Sequence, residues 1–235
     1  IADGGYTWNV QWCDTEGNCS QATANSSFNV DATRPSNVNL TMPPNNTFNK
    51  SVLWLFNSNA TDAVNLSNAS LYHNISGSWV ANQTNQLNGT TNSTNFTVNL
   101  VADGGYTWNV EWCDTASNCR QATTNNTFFV DSTVPSNVTN INPANNTANT
   151  TRIHRFVANI TEARALLNAT LWHNATGSFA ENETVLLNGT SNVTNFTVNF
   201  GVDGGFSWYI ISCDEALNCN RSGEFRVFIN NPPSG

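Results

Sequence analysis

Three pairs of cysteines, Cys13/Cys19, Cys113/Cys119 and Cys213/Cys219, lie in the segments CDTEGNC, CDTASNC and CDEALNC, with a step of 100 residues from pair to pair. Thiols at such spacing could hold a metal, cycle between redox states or staple the chain. Zinc takes four ligands, typically from two close pairs; here each pair stands alone. His73 and His173 recur, but a lone His at a strand end is expected to pack against its neighbours. A redox dithiol would read Cys-x-x-Cys on a strand-to-helix turn, and no such motif occurs. The expectation is therefore three local disulfides, Cys13–Cys19, Cys113–Cys119 and Cys213–Cys219, in a protein that lives outside the cytosol. Each would flank a hairpin turn, with Cys113 ending the penultimate strand and Cys119 beginning the last. A loop this short adds about 2 kcal/mol by chain entropy.

Asparagine carries the second chemistry. The acceptor pattern Asn-x-Ser/Thr occurs about 25 times. The sites expected to carry N-linked glycans are Asn25, Asn39, Asn45, Asn59, Asn65, Asn68, Asn74, Asn95, Asn125, Asn137, Asn145, Asn159, Asn168, Asn174 and Asn195. Several recur at one place in successive copies, as Asn45/Asn145, Asn68/Asn168, Asn74/Asn174 and Asn95/Asn195 do. Asn95 and Asn195 fall on the wet face of an alternating strand. Asn88 and Asn188 precede glycine and are expected to be spared by a tight turn.

Carboxylates recur as Asp3/Asp103/Asp203, Asp14/Asp114/Asp214 and Asp31/Asp131. Residues that return once per copy read as scaffold. Asp14 and Asp114 are expected to hydrogen-bond their own turn backbone. Asp31 and Asp131 lie at junctions between copies, where calcium could stiffen a joint through oxygen ligands. One carboxylate per junction is too few for a metal centre, so no metal site is assigned, and no cofactor is expected beyond the glycans. No nucleophile motif, phosphate loop or metalloprotease helix is present, so no catalytic residue is assigned. Trp54 and Tyr72 could form a sugar-binding platform, although strand aromatics usually face a core.

These residues are positioned by an internal repeat. ADGGYTWNVQWCDTEGNC (2–19) returns as ADGGYTWNVEWCDTASNC (102–119) and VDGGFSWYIISCDEALNC (202–219). LNGTTNSTNFTVNL (87–100) returns as LNGTSNVTNFTVNF (187–200), and VDATRPSNV (30–38) as VDSTVPSNV (130–138). The expected domains are 31–130 and 131–230, preceded by 1–30, the last third of an incomplete copy, and followed by 231–235, the start of another linker. The chain is expected to be cut from something longer, or its first copy to be completed by a neighbour. A secretion signal would lie upstream of residue 1.

Within a copy the apolar period is two: Tyr106, Trp108, Val110 and Trp112 alternate with Thr107, Asn109, Glu111 and Cys113. That is the mark of antiparallel strands with one wet face. Asn-Gly at 88–89 and 188–189 predicts tight type I′ hairpins. About seven strand-like segments per copy predict an all-β fold of tandem immunoglobulin-like sandwiches. DGGYTW (103–108), the Cys-Asp-Thr-x-x-Asn turn and the exit FFVDSTVPSNV together resemble the tandem immunoglobulin-like domains of bacterial and archaeal surface proteins. In that resemblance Tyr106 belongs to a tyrosine corner, and Phe206, which has no hydroxyl, cannot make its hydrogen bond.

Composition narrows the function. Charged residues are 10% of the chain, against about 25% in ordinary domains. The net charge is −8, and the eight basic residues are scattered, so no cationic face for nucleic acid is expected. No run of about 20 apolar residues suggests a membrane span. Low charge and Asn/Thr richness resemble archaeal surface proteins. The leading expectation is an extracellular, densely glycosylated rod or filament at a cell surface that associates head to tail or continues in a longer repeat chain. An adhesin or carbohydrate-binding array, or an accessory segment of a secreted enzyme, are the alternatives.

Overall fold

The alternating, β-branched and aromatic segments form strands throughout, and among the described residues there is no helix. The computed structural model describes residues 1–99 and 102–230; the expected linker start at 231–235 lies outside them.

Residues 1–30 give four short strands, β1 (Gly4–Trp8), β2 (Gln11–Cys13), β3 (Cys19–Gln21) and β4 (Ser26–Val30). β1 pairs antiparallel with β4, and β2 with β3.

The next copy supplies β5 (Ser36–Met42), β6 (Thr47–Asn49), β7 (Leu53–Thr61), β8 (Leu66–His73), β9 (Val80–Gln86), β10 (Thr91–Asn99), β11 (Gly104–Asp114), β12 (Cys119–Gln121) and β13 (Asn126–Val130). One sheet runs β10-β7-β5; the other runs β6-β13-β11-β8-β9, with β12 attached to β11. Alternation places Trp54, Phe56, Phe96, Trp108, Val110, Trp112 and Phe128 in the core. Phe56 meets Trp108 edge-on at 5.1 Å, and the Trp112 indole N–H donates to Ser58 Oγ at 2.9 Å. Each such side chain contributes about 1.5–3 kcal/mol by leaving water.

The last copy repeats the plan with β14 (Asn137–Asn142), β15 (Thr147–Asn149), β16 (Ile153–Thr161), β17 (Leu166–His173), β18 (Ala180–Leu186), β19 (Ser191–Asn199), β20 (Gly204–Asp214), β21 (Cys219–Arg221) and β22 (Phe225–Ile229). Its sheets run β14-β16-β19 and β15-β22-β20-β17-β18, with β21 attached to β20. Phe156, Phe196, Phe200, Trp208, Ile210 and Val227 fill the core.

Three expectations need correction. Asn88-Gly89 does not close a hairpin, because β9 and β10 lie in different sheets. Gly89 does take a left-handed φ of 82° and Gly189 one of 69°, but Asn88 and Asn188 do not, so the dipeptide turns a crossover between sheets. Cys119 opens a separate short strand, β12, and the last strand, β13, follows a further turn. Trp54 is buried rather than exposed.

The tyrosine corner appears at Tyr6, whose hydroxyl donates to the Ala2 carbonyl at 2.7 Å. Phe206 instead stacks on Phe200 with ring centroids 4.5 Å apart, so an apolar contact replaces the hydrogen bond.

Candidate functional sites

The three cysteine pairs are disulfide-bonded, and no free cysteine remains among the described residues. Cys113 and Cys119 face each other across the β11–β12 pair, and Cys213 and Cys219 across β20–β21. Glu111 lies beside the first of these bridges, but bonded sulfurs carry no thiolate for a metal. Between the cysteines, Asp114 Oδ1 accepts the Ala116 and Asn118 amides at 2.8 and 2.9 Å. Asp14 does the same for Glu16 and Asn18, at 2.9 Å each. These contacts hold the Asp14 carboxyl below the usual range, the Asn18 side-chain hydrogen bond acting most strongly. The aspartate already ties the turn, so the bridge adds only its loop-closure term. Replacing Cys213 and Cys219 by Ser is expected to lower the stability of the last sandwich by about 2 kcal/mol without unfolding it, as a urea titration would read.

The sequon asparagines divide by which amide atom they use. At Asn45, Asn65, Asn74, Asn145 and Asn174 the Oδ1 accepts a backbone N–H, from Thr127, Gly89, Thr107, Arg226 and Ser207 respectively, at 2.5–2.9 Å. Asn25, Asn59, Asn95, Asn125, Asn137 and Asn195 accept from neighbouring side chains. Asn95 and Asn195 are exposed on their strands, whereas Asn159 and Asn168 are half-buried. Asn39 and Asn68 spend the Nδ2 instead: Asn39 donates to Asn37 O and Asn59 Oδ1 at 3.0 and 3.1 Å, and Asn68 to Ser67 Oγ at 3.3 Å. A glycan would be attached at Nδ2, the atom that Asn39 and Asn68 commit to these hydrogen bonds.

His173 is buried, with its Nδ1 accepting the Ala175 amide at 3.3 Å. Burial lowers its pKa below the ordinary imidazole value, so the folded state resists a proton that the unfolded chain takes up near pH 6.5. Stability is therefore fully present above that pH and is lost as the pH falls through it toward the lower, folded pKa. A melting series from pH 8 to 5 should show the decline; burial lowers the His73 pKa too, so His173→Gln should reduce the decline and His73→Gln/His173→Gln flatten it.

Asp31 and Asp131 do not stand alone. Asp31 is joined by Asp62 and Asp114, none of whose carboxylate ligand oxygens lies more than 4.8 Å from the others. Asp62, in the loop after β7, was not singled out from the sequence. Its signal is that the acid persists as Glu162 while its flank changes, TDAVN becoming TEARA.

Residues 1–30 show a different feature. Trp8 and Trp12 are 52% and 63% exposed, whereas their counterparts Trp108 and Trp112 are 0% exposed. Trp8, Val10, Trp12 and Ala22 line an open groove of about 180 Å³.

Three strands facing six, with the first short strand of each copy handed to the opposite sheet, define tandem immunoglobulin-like β-sandwiches. No protein-family model matches the chain, and no curated protein matches it. Among solved structures it is similar to the fibronectin(III)-like modules of Clostridium thermocellum CbhA, at 11% identity, covering 83% of this chain and 94% of that one with a TM-score of 0.44. It is also similar to a tetra-tandem repeat in the extending region of a large adhesion protein, at 18% identity, 96% and 57% coverage and a TM-score of 0.35. Chicken CNTN1 FN1-FN3 domains match at 9% identity, 96% and 78% coverage and a TM-score of 0.38. No helix among the described residues is long and apolar enough to cross a membrane.

Proposed function

We propose that this chain is a non-catalytic, load-carrying segment of an extracellular rod or filament at a cell surface, N-glycosylated along its length and archaeal in origin. Domains 31–130 and 131–230 are its units, and residues 1–30 end the unit before them. The observation that carries this reading is the repeat itself: two sandwiches of one strand plan, β5–β13 and β14–β22, follow one another along the chain. Trp8, Val10, Trp12 and Phe28 occupy the positions that are buried as Trp108, Val110, Trp112 and Phe128 in the complete copy. An isolated two-stranded ribbon is marginal in water, and in the complete copy the equivalent strands face β5, β7 and β10. Sandwiches joined by linkers as short as residues 131–136 would stack as an array in which each unit follows the last. Glycans along the array would shield its sides and its strand edges from unwanted pairing.

Glycopeptide mapping of the native material together with electron microscopy tests the reading. Filaments or long rods should appear, with glycans at Asn45, Asn65, Asn74, Asn145 and Asn174 and little occupancy at Asn39 and Asn68. Bare asparagines at the first five, in material that stays as isolated particles, would sink it.

One observation favours a second reading, a carbohydrate-binding array. Trp172 stacks on Tyr209 at 6.1 Å, Phe179 adds to the patch at 4.9 Å, and the Arg221 guanidinium lies 3.7 Å over the Tyr209 ring. Binding of the chain to immobilised oligosaccharides, lost in Trp172→Ala, would favour this reading over the rod.

A further inference from the structure

Asp31, Asp62 and Asp114 come from the linker, the loop after β7 and the end of β11, and they meet at one end of their sandwich. Asp62 and Asp114 are only 6% and 2% exposed. Each carboxylate uses one oxygen to hold its own loop. Asp31 Oδ1 accepts the Thr33 amide at 3.2 Å, Asp62 Oδ1 those of Val64 and Asn65 at 2.8 and 3.0 Å, and Asp114 Oδ1 the turn amides described above. Asp114 Oδ2 accepts Asn118 Nδ2 at 2.8 Å, while that same Nδ2 also donates to the Asp31 carbonyl at 3.0 Å. The remaining oxygens, Asp31 Oδ2 and Asp62 Oδ2, are buried and have no hydrogen-bond donor.

Capping a loop does not call for this. Asn or Ser would accept the same amides without bringing buried charges together. The charged groups acting on Asp31 are Asp114, Asp62 and Asp3, all acidic. Uncompensated like charges away from water are strongly unfavourable, so two bare anionic oxygens beside a third carboxylate require a counter-charge. All the donors are oxygen, which suits a hard cation of calcium's size rather than zinc or copper. Calcium takes six to eight oxygens, and water can complete the shell.

The last copy carries acids at the equivalent positions, with Glu162 in place of Asp62; Asp131 and Asp214 act on Glu162, but these oxygens are not gathered within the 4.8 Å that unites the first triad. Asp131 Oδ2 and Glu162 Oε2 are again buried without a donor. Asn218 Nδ2 bridges Asp214 Oδ2 and the Asp131 carbonyl, each at 2.9 Å. We infer that each copy binds one calcium ion through its carboxylate triad, Asp31/Asp62/Asp114 in the first and Asp131/Glu162/Asp214 in the second. The ion locks the incoming linker residue onto the loops at the end of its own sandwich.

The whole chain, stripped with a chelator, should be melted at pH 7 with rising CaCl2, against MgCl2 and NaCl at matched ionic strength, and titrated by calorimetry. The expected result is a saturable, calcium-specific rise of roughly 10 °C at 100 times the Kd, with two ions bound per chain. Asp62→Asn keeps the acceptor for Val64 and Asn65, so it should fold and bind one ion. The double variant Asp62→Asn/Glu162→Gln should bind none, show no calcium-specific rise and melt above the stripped wild-type chain. No calcium-specific rise in the wild-type chain, or an equal rise in the double variant, would overturn the inference.

Discussion

Replacing Trp108 by Ala is expected to lower the stability of the first sandwich by about 3–5 kcal/mol, while the same change at Trp8 leaves the melting of both complete sandwiches where it was. The two tryptophans occupy one position of the repeat, in DGGYTW at 3–8 and 103–108. Trp108 is fully buried, with Phe56 edge-on at 5.1 Å. Its removal empties a fully buried site against the Phe56 ring of the facing sheet, which can relax only partly. A domain holds about 5–15 kcal/mol in all, so the variant loses a large share. Trp8 borders an open groove, and truncating it creates no cavity within the chain. Urea titrations of both variants check this. A loss of more than about 1 kcal/mol in Trp8→Ala would show that Trp8 supports a sandwich within its own chain.

Much of this architecture is legible in the sequence because a period of two and a repeat of fixed length are local or nearly local signals. The core stripe of β11 is one example. Phe56 against Trp108 could be expected, since both lie at the apolar phase of alternating strands. The failures share one cause. A turn residue reports the backbone conformation it tolerates, not the sheet its next strand will join, so Asn88-Gly89 read as a hairpin where the chain crosses between sheets. The short strand β12 carries no apolar alternation and is set by the disulfide and by Asp114. The carboxylate triad draws on three segments distant in sequence, so Asp31 reads as a linker residue and Asp114 as a turn residue, and nothing local joins either to Asp62. The substitution of Glu162 for Asp62 amid changing neighbours was the available clue, and it takes meaning only once folding has placed the acid beside Asp31.

Asn109 shows how far one polar side chain can replace a backbone ladder, and changing it to Ala is expected to lower the stability of the first sandwich by about 3 kcal/mol. It sits on the wet phase of the β11 alternation yet is 1% exposed. Its Oδ1 accepts the Val110 and Ala122 amides at 2.7 and 3.1 Å, and its Nδ2 donates to the Ala122 carbonyl at 3.0 Å and to Asn125 Oδ1 at 2.8 Å. The amide thus stitches β11 to the segment between β12 and β13, where the chain has left the ladder. Truncation strands two backbone donors and one acceptor in a place that water reaches poorly. The last copy manages the same gap differently. Tyr209 replaces the asparagine, and Ser222, at the place of Ala122, accepts the Ile210 amide through its Oγ at 2.9 Å and donates its own amide to the Ile210 carbonyl at 2.8 Å. The loss in Asn109→Ala should therefore be confined to the first sandwich, with faster hydrogen exchange at Val110 and Ala122 and none at Ile210 or Ser222. Adding Ala122→Ser to that variant should recover part of the stability, because it installs the hydroxyl that the last copy uses. No loss in Asn109→Ala, or no recovery in the double variant, would show that the two copies close this gap by some other means.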